Sequence, residues 1–449
     1  MPTVTYDIPI LRREDVLVVG GGCAGIAAAV CAARHGARVL LAEKNGCLGG
    51  MATAGLVGPF MTSFDPDGKR QVIRGFFEEM VQRMIRWNGA IHPAEIQAGT
   101  SYSGYRVYGH AHCGPFNSED FKLAAEEVCA ESGVELLFNA SFVSCAMNEA
   151  GDRIQGAIFA TKQGLIQINA TQIIDCTGDG DVAFRSGAPF AYGDEQGNTQ
   201  PASLFFTIRD VDKEKLEKIR EKTGDFTSIF FQDMINHELE SGRYTVPRNK
   251  LAIYENPDGT FRVNMSRVFL KDGCDPFELT QASLESRRQI PEILSLMRRM
   301  IPGCENVKLV DSASMLGLRE TRRIQGDFVL TGEDILAKRT FPDVIFLSGN
   351  SIDMHGGSAV TYRPSTGAPY QIPYRILLPR RVKNLLVAGR CCSLDREALA
   401  AIRVMPPVFA MGQAAGTAAA LSIQTHTDPA AIDVTQLQKL LKQDGAILE

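Results

Sequence analysis

An α/β fold built on one largely parallel sheet, with an α+β unit inserted into it, is predicted by three features of this 449-residue chain. The first is residues 16–50, where an apolar strand, a glycine turn, an Ala-rich helix, a second apolar strand and an acid follow in order. The second is a pair of distant apolar strands, at Ile173-Ile174 and Asn384–Val387, each running into a glycine turn. The third is a change of character near residue 187, after which charged helices and short β runs continue to about residue 305.

Val16 to Val19 is wholly apolar, as expected of a parallel strand covered on both faces. The turn Gly20-Gly21-Gly22-Cys23-Ala24-Gly25 contains G-x-G-x-x-G. Gly20 permits the tight bend, Gly22 lets a pyrophosphate approach the backbone, and Gly25 lets helix and strand pack closely. The helix from Ala24 to Arg34 would turn its free N–H groups and dipole toward that pyrophosphate. Gly36 ends it, Val39–Ala42 is the second strand, and Glu43 stands where an acid accepts hydrogen bonds from an adenosine ribose. The acid argues against a ribose 2′-phosphate. This is a Rossmann-like dinucleotide unit. Beyond Lys44, a second glycine patch (Gly49-Gly50-Met51) provides close backbone approach to a group bulkier than a ribose.

Further along, Arg74–Trp87 and Ser118–Ser132 read as helices, the latter with Asn117 or Ser118 as N-cap. Val134–Phe138 is the next parallel strand. Phe142–Met147, Ile154–Ala160 and Leu165–Ile168 form a meander returning to the strand at Ile173. In the insertion, Lys213–Thr223 is a charged helix, Leu251–Glu255 and Phe261–Val263 are a strand pair, and Phe277–Met300 is a helix interrupted at Pro291. Thr331-x-x-Asp334 reads as a capping box. Pro406–Ile423 is a helix of small residues with Gly412 and Gly416 four apart. The predicted organisation is a discontinuous dinucleotide domain (1–60, 115–189, 305–425), an inserted substrate domain (190–304), a connecting insertion near the active site (61–114) and a C-terminal tail (426–449).

Composition narrows the classes. Apolar content of 45%, charged content of 22% and a net charge of −5 describe an ordinary globular protein with no basic field, which excludes nucleic acid as a partner. Residues 1–13 lack the apolar core of a secretory signal, and no stretch suits a membrane span, so a cytoplasmic location is expected. The 11 cysteines are scattered without a C-x-x-C pair, which fits free packed thiols and no iron–sulfur cluster. Cys391-Cys392 is the one adjacent pair, read as packing near the cofactor with a vicinal disulfide as the alternative. A homo-oligomer is left open.

Three stretches carry a family resemblance. Glu43 with Gly49-Gly50 resembles the second glycine patch of flavoproteins with a glutathione-reductase type of FAD domain. Asp175-Cys176-Thr177-Gly178-Asp179 is similar to their Thr-Gly-Asp turn, and Val387-Ala388-Gly389-Arg390 to the late strand that delivers a loop to the flavin. Leu318–Arg323 and Ile372–Arg375 look like further signatures. Together these resemble the FAD-dependent oxidoreductase family that includes the flavin domain of heterodisulfide reductase. The flavoprotein subunits of succinate dehydrogenase and fumarate reductase are more distant relatives. The resemblance implies an FAD enzyme acting on a small molecule by hydride transfer to or from flavin N5. The implied cofactor contacts are Gly20, Gly22, Cys23, Ala24, Gly25, Glu43, Lys44, Gly49, Gly50, Met51, Phe142, Val143, Thr177, Gly178, Asp179, Gly389, Arg390 and Gly412. Covalent attachment in the succinate dehydrogenase group uses a His between the acid and the double glycine. Lys44-Asn45-Gly46-Cys47-Leu48 has none, so non-covalent FAD is expected. That group's His-Pro-Thr substrate segment is also missing.

With a single dinucleotide fingerprint there is no second Rossmann unit for a nicotinamide, which favours oxidation of a small molecule with oxygen, quinone or a protein taking the electrons. Reduction of an activated alkene and a flavin-binding structural or assembly role are the alternatives. Arg319, Arg322, Arg375, Arg390 and Arg403 lie in segments that the resemblance brings to the flavin, and arginine grips carboxylates bidentately. Arg319, Arg375 and Arg403 are the candidates for an anionic substrate; pairing with FAD phosphates, Glu320 or Glu397 is the alternative. His355, in Asp353-Met354-His355-Gly356-Gly357, is the candidate base, a plain loop residue being the other reading. Ser393 and Asp395 could reach the flavin, and Asp395 could equally cap the next helix. His110 and His112 have no Cys or acid spaced to complete a metal site, so no metal is expected.

Overall fold

The computed structural model describes residues 5–107, 109–223, 230–356 and 360–449. Its main sheet runs Glu135–Leu137, Val39–Ala42, Ile10–Val19, Gly164–Asp175, Ile154–Thr161 and Ser141–Met147. The first four are parallel, as apolar strands covered by helices require. The opening strand starts earlier than its apolar stretch, because polar residues Arg12–Glu14 extend the ladder along Ile168–Ala170 at an exposed end. The third run of the predicted meander and the strand at Ile173 are one 12-residue strand. Its first half pairs antiparallel with Ile154–Thr161, and its last three residues pair in parallel with Leu385–Val387.

Two helices cover this sheet side by side, Cys23–Arg34 and Met405–Thr425. A β-carbon at Gly412 would lie 2.2 Å from the Ala24 carbonyl oxygen, and one at Gly416 would lie 2.1 Å from that of Ala28. Contacts advancing together along both helices make them parallel, so both begin at the same end of the sheet. Only glycine allows backbones this close.

A second buried core lies around a four-stranded antiparallel sheet of order Lys308–Ser312, Phe206–Arg209, Phe261–Val263, Ile253–Glu255. Two expectations change here. The chain does not leave this unit near residue 305, since Lys308–Ser312 is its edge strand and Gly317 still pairs with Ser203. The long helix is not interrupted: Pro276–Met300 runs through Pro291. The ring removes one helical hydrogen bond, but buried Ile290, Ile293 and Leu294 seat both halves on one core. The segment after residue 60 divides between the cores, with Val72–Met84 in the first and Tyr105 in the second. Fully buried Arg262 joins the two, donating to the carbonyls of Val57 (3.2 Å) and Phe116 (2.7 Å) and lying 4.2 Å over the Phe116 ring. Among the described residues no single helix is long and apolar enough to cross a membrane.

Candidate cofactor and substrate site

The glycine turn forms at the end of the first strand. Gly20 takes φ +102°, and a β-carbon at Gly25 would sit 1.8 Å from the Gly20 carbonyl oxygen, so both positions require glycine. At Gly22 a β-carbon would meet nothing within 4 Å. Open space at the start of a helix with free N–H groups is the cradle that a pyrophosphate fills. Cys23 and Ala24 open that helix and are buried; burial pushes the Cys23 thiol up to about 12. The second glycine patch folds back over the first: Gly49 donates to the Gly21 carbonyl (2.8 Å), and Gly50 and Met51 begin a short 3-10 turn beside Gly22.

Glu43 is buried and accepts from the Gly21 N–H (2.6 Å) and from the backbone and side chain of Asn45. These bonds fix its carboxylate beside the turn, with acceptor capacity left for a ribose hydroxyl. Lys44 points outward, exposed. Ala140 donates to the Glu43 carbonyl (3.0 Å), which brings Phe142 and Val143 alongside. A register shift takes Val143 out of the ladder between Phe142 and Ser144, leaving its backbone available to an adenine edge.

Across the sheet, Asp175 ends the long strand and caps the turn by accepting from Thr177 (3.0 Å) and Ala183 (2.9 Å). Gly178 follows at φ +79°. Asp179 accepts from Arg390 Nη2 (2.6 Å) and Thr321 Oγ1 (2.8 Å), which ties the loop after Gly389 to the Thr-Gly-Asp turn. Arg390 therefore acts as a structural partner of Asp179. Arg322 likewise pairs with Asp181 (2.8 Å). Glu320 takes Arg323 and Arg396, and Glu397 takes Arg363. Asp395 caps the helix Arg396–Ile402, and Ser393 donates to the Phe328 carbonyl (2.6 Å), so neither is free for the flavin ring. Cys391 and Cys392 are buried free thiols.

Arg375, expected to grip the substrate, is instead paired within the protein. It makes a bidentate pair with Asp343 (2.9 and 2.5 Å), is 40% exposed at the side chain, and belongs to the outer shell of the first core. Its charge is already matched. Arg319 and Arg403 differ from these paired arginines. Arg319 donates to the Pro201 carbonyl (2.5 Å) and Ser203 Oγ (3.0 Å). Arg403 donates to Gln200 Oε1 (2.9 Å) and to the carbonyls of Arg319 (3.3 Å) and Asp353 (2.9 Å). Among the described residues neither has a carboxylate within 4 Å. Burial pushes Arg403 down to about 10, and burial together with the positive charges of Arg403 and Arg248 holds Arg319 well below the usual guanidinium range.

His355 faces this pair. Its Nε2 lies 3.1 Å from Asp353 Oδ2, and its Nδ1 is buried with no partner. Burial would raise Asp353, but the bond to His355 and the charges of His355, Arg403 and Arg319 hold it well below the usual carboxylate range. The ring is driven down to about 4 by burial and by Arg319 and Arg403, against the pull of Asp353. A neutral ring donating Nε2–H to an ionised Asp353 leaves the Nδ1 lone pair free, the state of a general base. Gly357, quoted with this segment, lies outside the described residues.

Sequence reasoning missed the rest of the site. Arg106, Arg248, Lys250 and Arg267 come from the connecting insertion and the second unit, and their charges act on Arg319, Asp353 or one another. His110 stacks on Tyr254 (5.8 Å) and accepts from Arg106 Nη1 (3.0 Å). The available signal was local charge: Arg248-Asn249-Lys250 and Arg267 are cations in a chain of net charge −5. His112 stacks on Phe64 (4.1 Å), away from His110.

These features define a dinucleotide-binding flavoprotein fold with a second core beside it. The chain belongs to the FAD dependent oxidoreductase family, whose model matches residues 15–441, and FAD is its cofactor. Glutathione reductase from Schizosaccharomyces pombe is 55% identical over 42 residues, a stretch that spans only 9% of either chain. A geranylgeranyl bacteriochlorophyll reductase-like protein from Thermoplasma acidophilum has a similar fold, with TM-score 0.50, 13% identity, and 96% of this chain and 84% of that one covered. L-proline dehydrogenase from P. horikoshii matches at TM-score 0.45 and 10% identity, over 98% of this chain and 100% of that one.

Proposed function

We propose that this oxidoreductase dehydrogenates a small organic anion. The observation that carries the reading is the Arg319–Arg403 pair. These two half-buried cations donate only to neutral acceptors among the described residues, beside an Asp353–His355 dyad with a free ring nitrogen. FAD, when bound, supplies hydride acceptance or donation at N5. The glycine turn, Glu43 and the Val143 bulge would hold its pyrophosphate, ribose and adenine, without a covalent bond.

Arg319 and Arg403 would grip an anionic group and fix the substrate's orientation, since a buried cation gains most from a charge-assisted partner. Asp353 orients the imidazole, and Nδ1 of His355 takes the proton released from the substrate. A ring that stays neutral down to about pH 4 suits proton removal and not proton donation, which favours oxidation over alkene reduction.

The test is anaerobic mixing of the holoprotein with a panel of small hydroxy and amino acids and their neutral amides, followed by flavin absorbance near ~450 nm. Bleaching by acids and not by the amides is expected. Bleaching by the amides alone would overturn the anionic reading, and no bleaching by either series would leave the assembly-protein alternative in its place.

A further inference from the structure

Six cations, Arg106, Arg248, Lys250, Arg267, Arg319 and Arg403, surround the Asp353–His355 pair or one another. Their mutual influence runs as a chain. Arg403 acts on Arg319, Arg248 and Arg267 act on Arg319, and Arg106 acts on Arg248 and on Lys250. Arg248 and Arg267 are 9% and 5% exposed. Among the described residues none of the six has a carboxylate within 4 Å, and the acid that recurs beside them, Asp353, is committed to His355. Glu320, which acts on Arg403, is already taken by Arg323 and Arg396.

These residues and their contact partners carry unpartnered buried polar atoms: Nε of Arg106, Arg248 and Arg267, Nδ1 of His110 and His355, and Nε2 of Gln200. An arginine can only donate, so His110 Nε2 accepts from Arg106 and its Nδ1 carries a hydrogen with no acceptor. Four of the five arginine and histidine atoms are thus donors awaiting an acceptor. Buried donors and cations without partners are costly, and one monoanion between Arg319 and Arg403 would leave the Arg106 end unmatched.

We propose that the substrate is an organic dianion with charged groups at its two ends. Arg319 and Arg403 take the group nearer the flavin, Arg106, Arg248 and Lys250 take the far group, and Arg267 lies between. This inference rests on the reading of the site as a substrate pocket. Arg403 ends the helix Arg396–Ile402 of the first core, whereas Arg319 docks on Pro201 and Ser203 and the far cations lie on the second unit and its connecting segment, so a two-ended ligand would bridge the two cores.

The experiment titrates the FAD-loaded protein with propanoate and with malonate, succinate, glutarate and adipate, reading the flavin spectrum and the melting temperature. At least one dicarboxylate should bind about 100-fold more tightly than propanoate. In Arg248→Met and Arg106→Met the ratio of dicarboxylate to propanoate affinity should fall toward one, while Arg248→Lys, which keeps the charge, should preserve most of it. Arg319→Met should weaken both ligand classes. A dicarboxylate advantage that is missing, or untouched by both far-end variants, overturns the second locus; continued sensitivity of propanoate binding to Arg319→Met would then leave the single-anion reading standing. Loss of FAD from Arg248→Met with retention in Arg248→Lys also overturns the proposal, because the far cations would then serve the cofactor. Failure of every carboxylate to perturb the flavin removes both readings.

Discussion

Acidification isolates the Asp353–His355 pair. Burial and the charges of Arg319 and Arg403 bring the imidazole down to about 4, whereas an ordinary histidine titrates near ~6.5. That displacement corresponds to roughly 3 kcal/mol at ~1.4 kcal/mol per unit. The base form is neutral, so the acid limb of kcat/KM should fall near pH 4. An anion lodged against Arg319 and Arg403 offsets the charge that depresses the ring, which should move the limb upward in kcat relative to kcat/KM. Stability follows the same group. Its folded-state pKa is depressed, so the unfolded chain binds a proton that the native one does not, and this contribution is lost as pH falls from about 6.5 toward 4. Anaerobic stopped-flow bleaching across pH 4 to 9, roughly the range between these limits and neutral pH, measures the rate. His355→Gln should remove the limb and slow bleaching by about 10²- to 10⁴-fold with FAD content unchanged. A limb near the ordinary histidine value, or a His355→Gln protein of undiminished rate, would refute the reasoning.

Arg403→Met should weaken substrate binding by about two to three decades, since breaking a buried charge pair costs roughly 3–5 kcal/mol at ~1.4 kcal/mol per decade. Arg375→Met should leave substrate kinetics alone and cost about 0–1 kcal/mol of stability by thermal melting, because its pair with Asp343 is partly exposed. Gly22→Val should fold normally, there being no atom within 4 Å of the new β-carbon, yet emerge colourless because the side chain fills the pyrophosphate space. Acid precipitation of the wild-type protein should release all the FAD into the supernatant; flavin retained in the pellet, and lost in Cys47→Ser, would show a covalent bond at that residue.

The cofactor half of the molecule was legible because its signals are local. A strand, a tight turn and a helix N-terminus are written within residues 16–34, where Gly20 and Gly25 have steric reasons and Gly22 faces open space. The substrate half is assembled by contacts between segments far apart, and no periodicity marks Arg106, Arg248 or Arg267 as neighbours of Arg319. Arginine identity alone could not separate matched charges from unmatched ones. Arg375 and Arg403 look alike in sequence, and the difference is that Asp343 stands beside one of them. The unbroken helix at Pro291 and the late boundary at Lys308–Ser312 have the same origin, tertiary packing overriding a local punctuation mark.

The strand Gly164–Asp175 changes partners halfway along, and its last three residues wait for Leu385–Val387. More than 200 residues of chain, including the whole second unit, separate the two partners. While the protein is being synthesised, the sheet therefore carries an open edge at Ile173–Asp175, next to the turn that Arg390 later ties down. The helix Met405–Thr425, which packs along Cys23–Arg34, arrives later still. The edge that Leu385–Val387 covers therefore closes only when the chain's last quarter meets its first, and a chain truncated before Leu385 should bind no FAD.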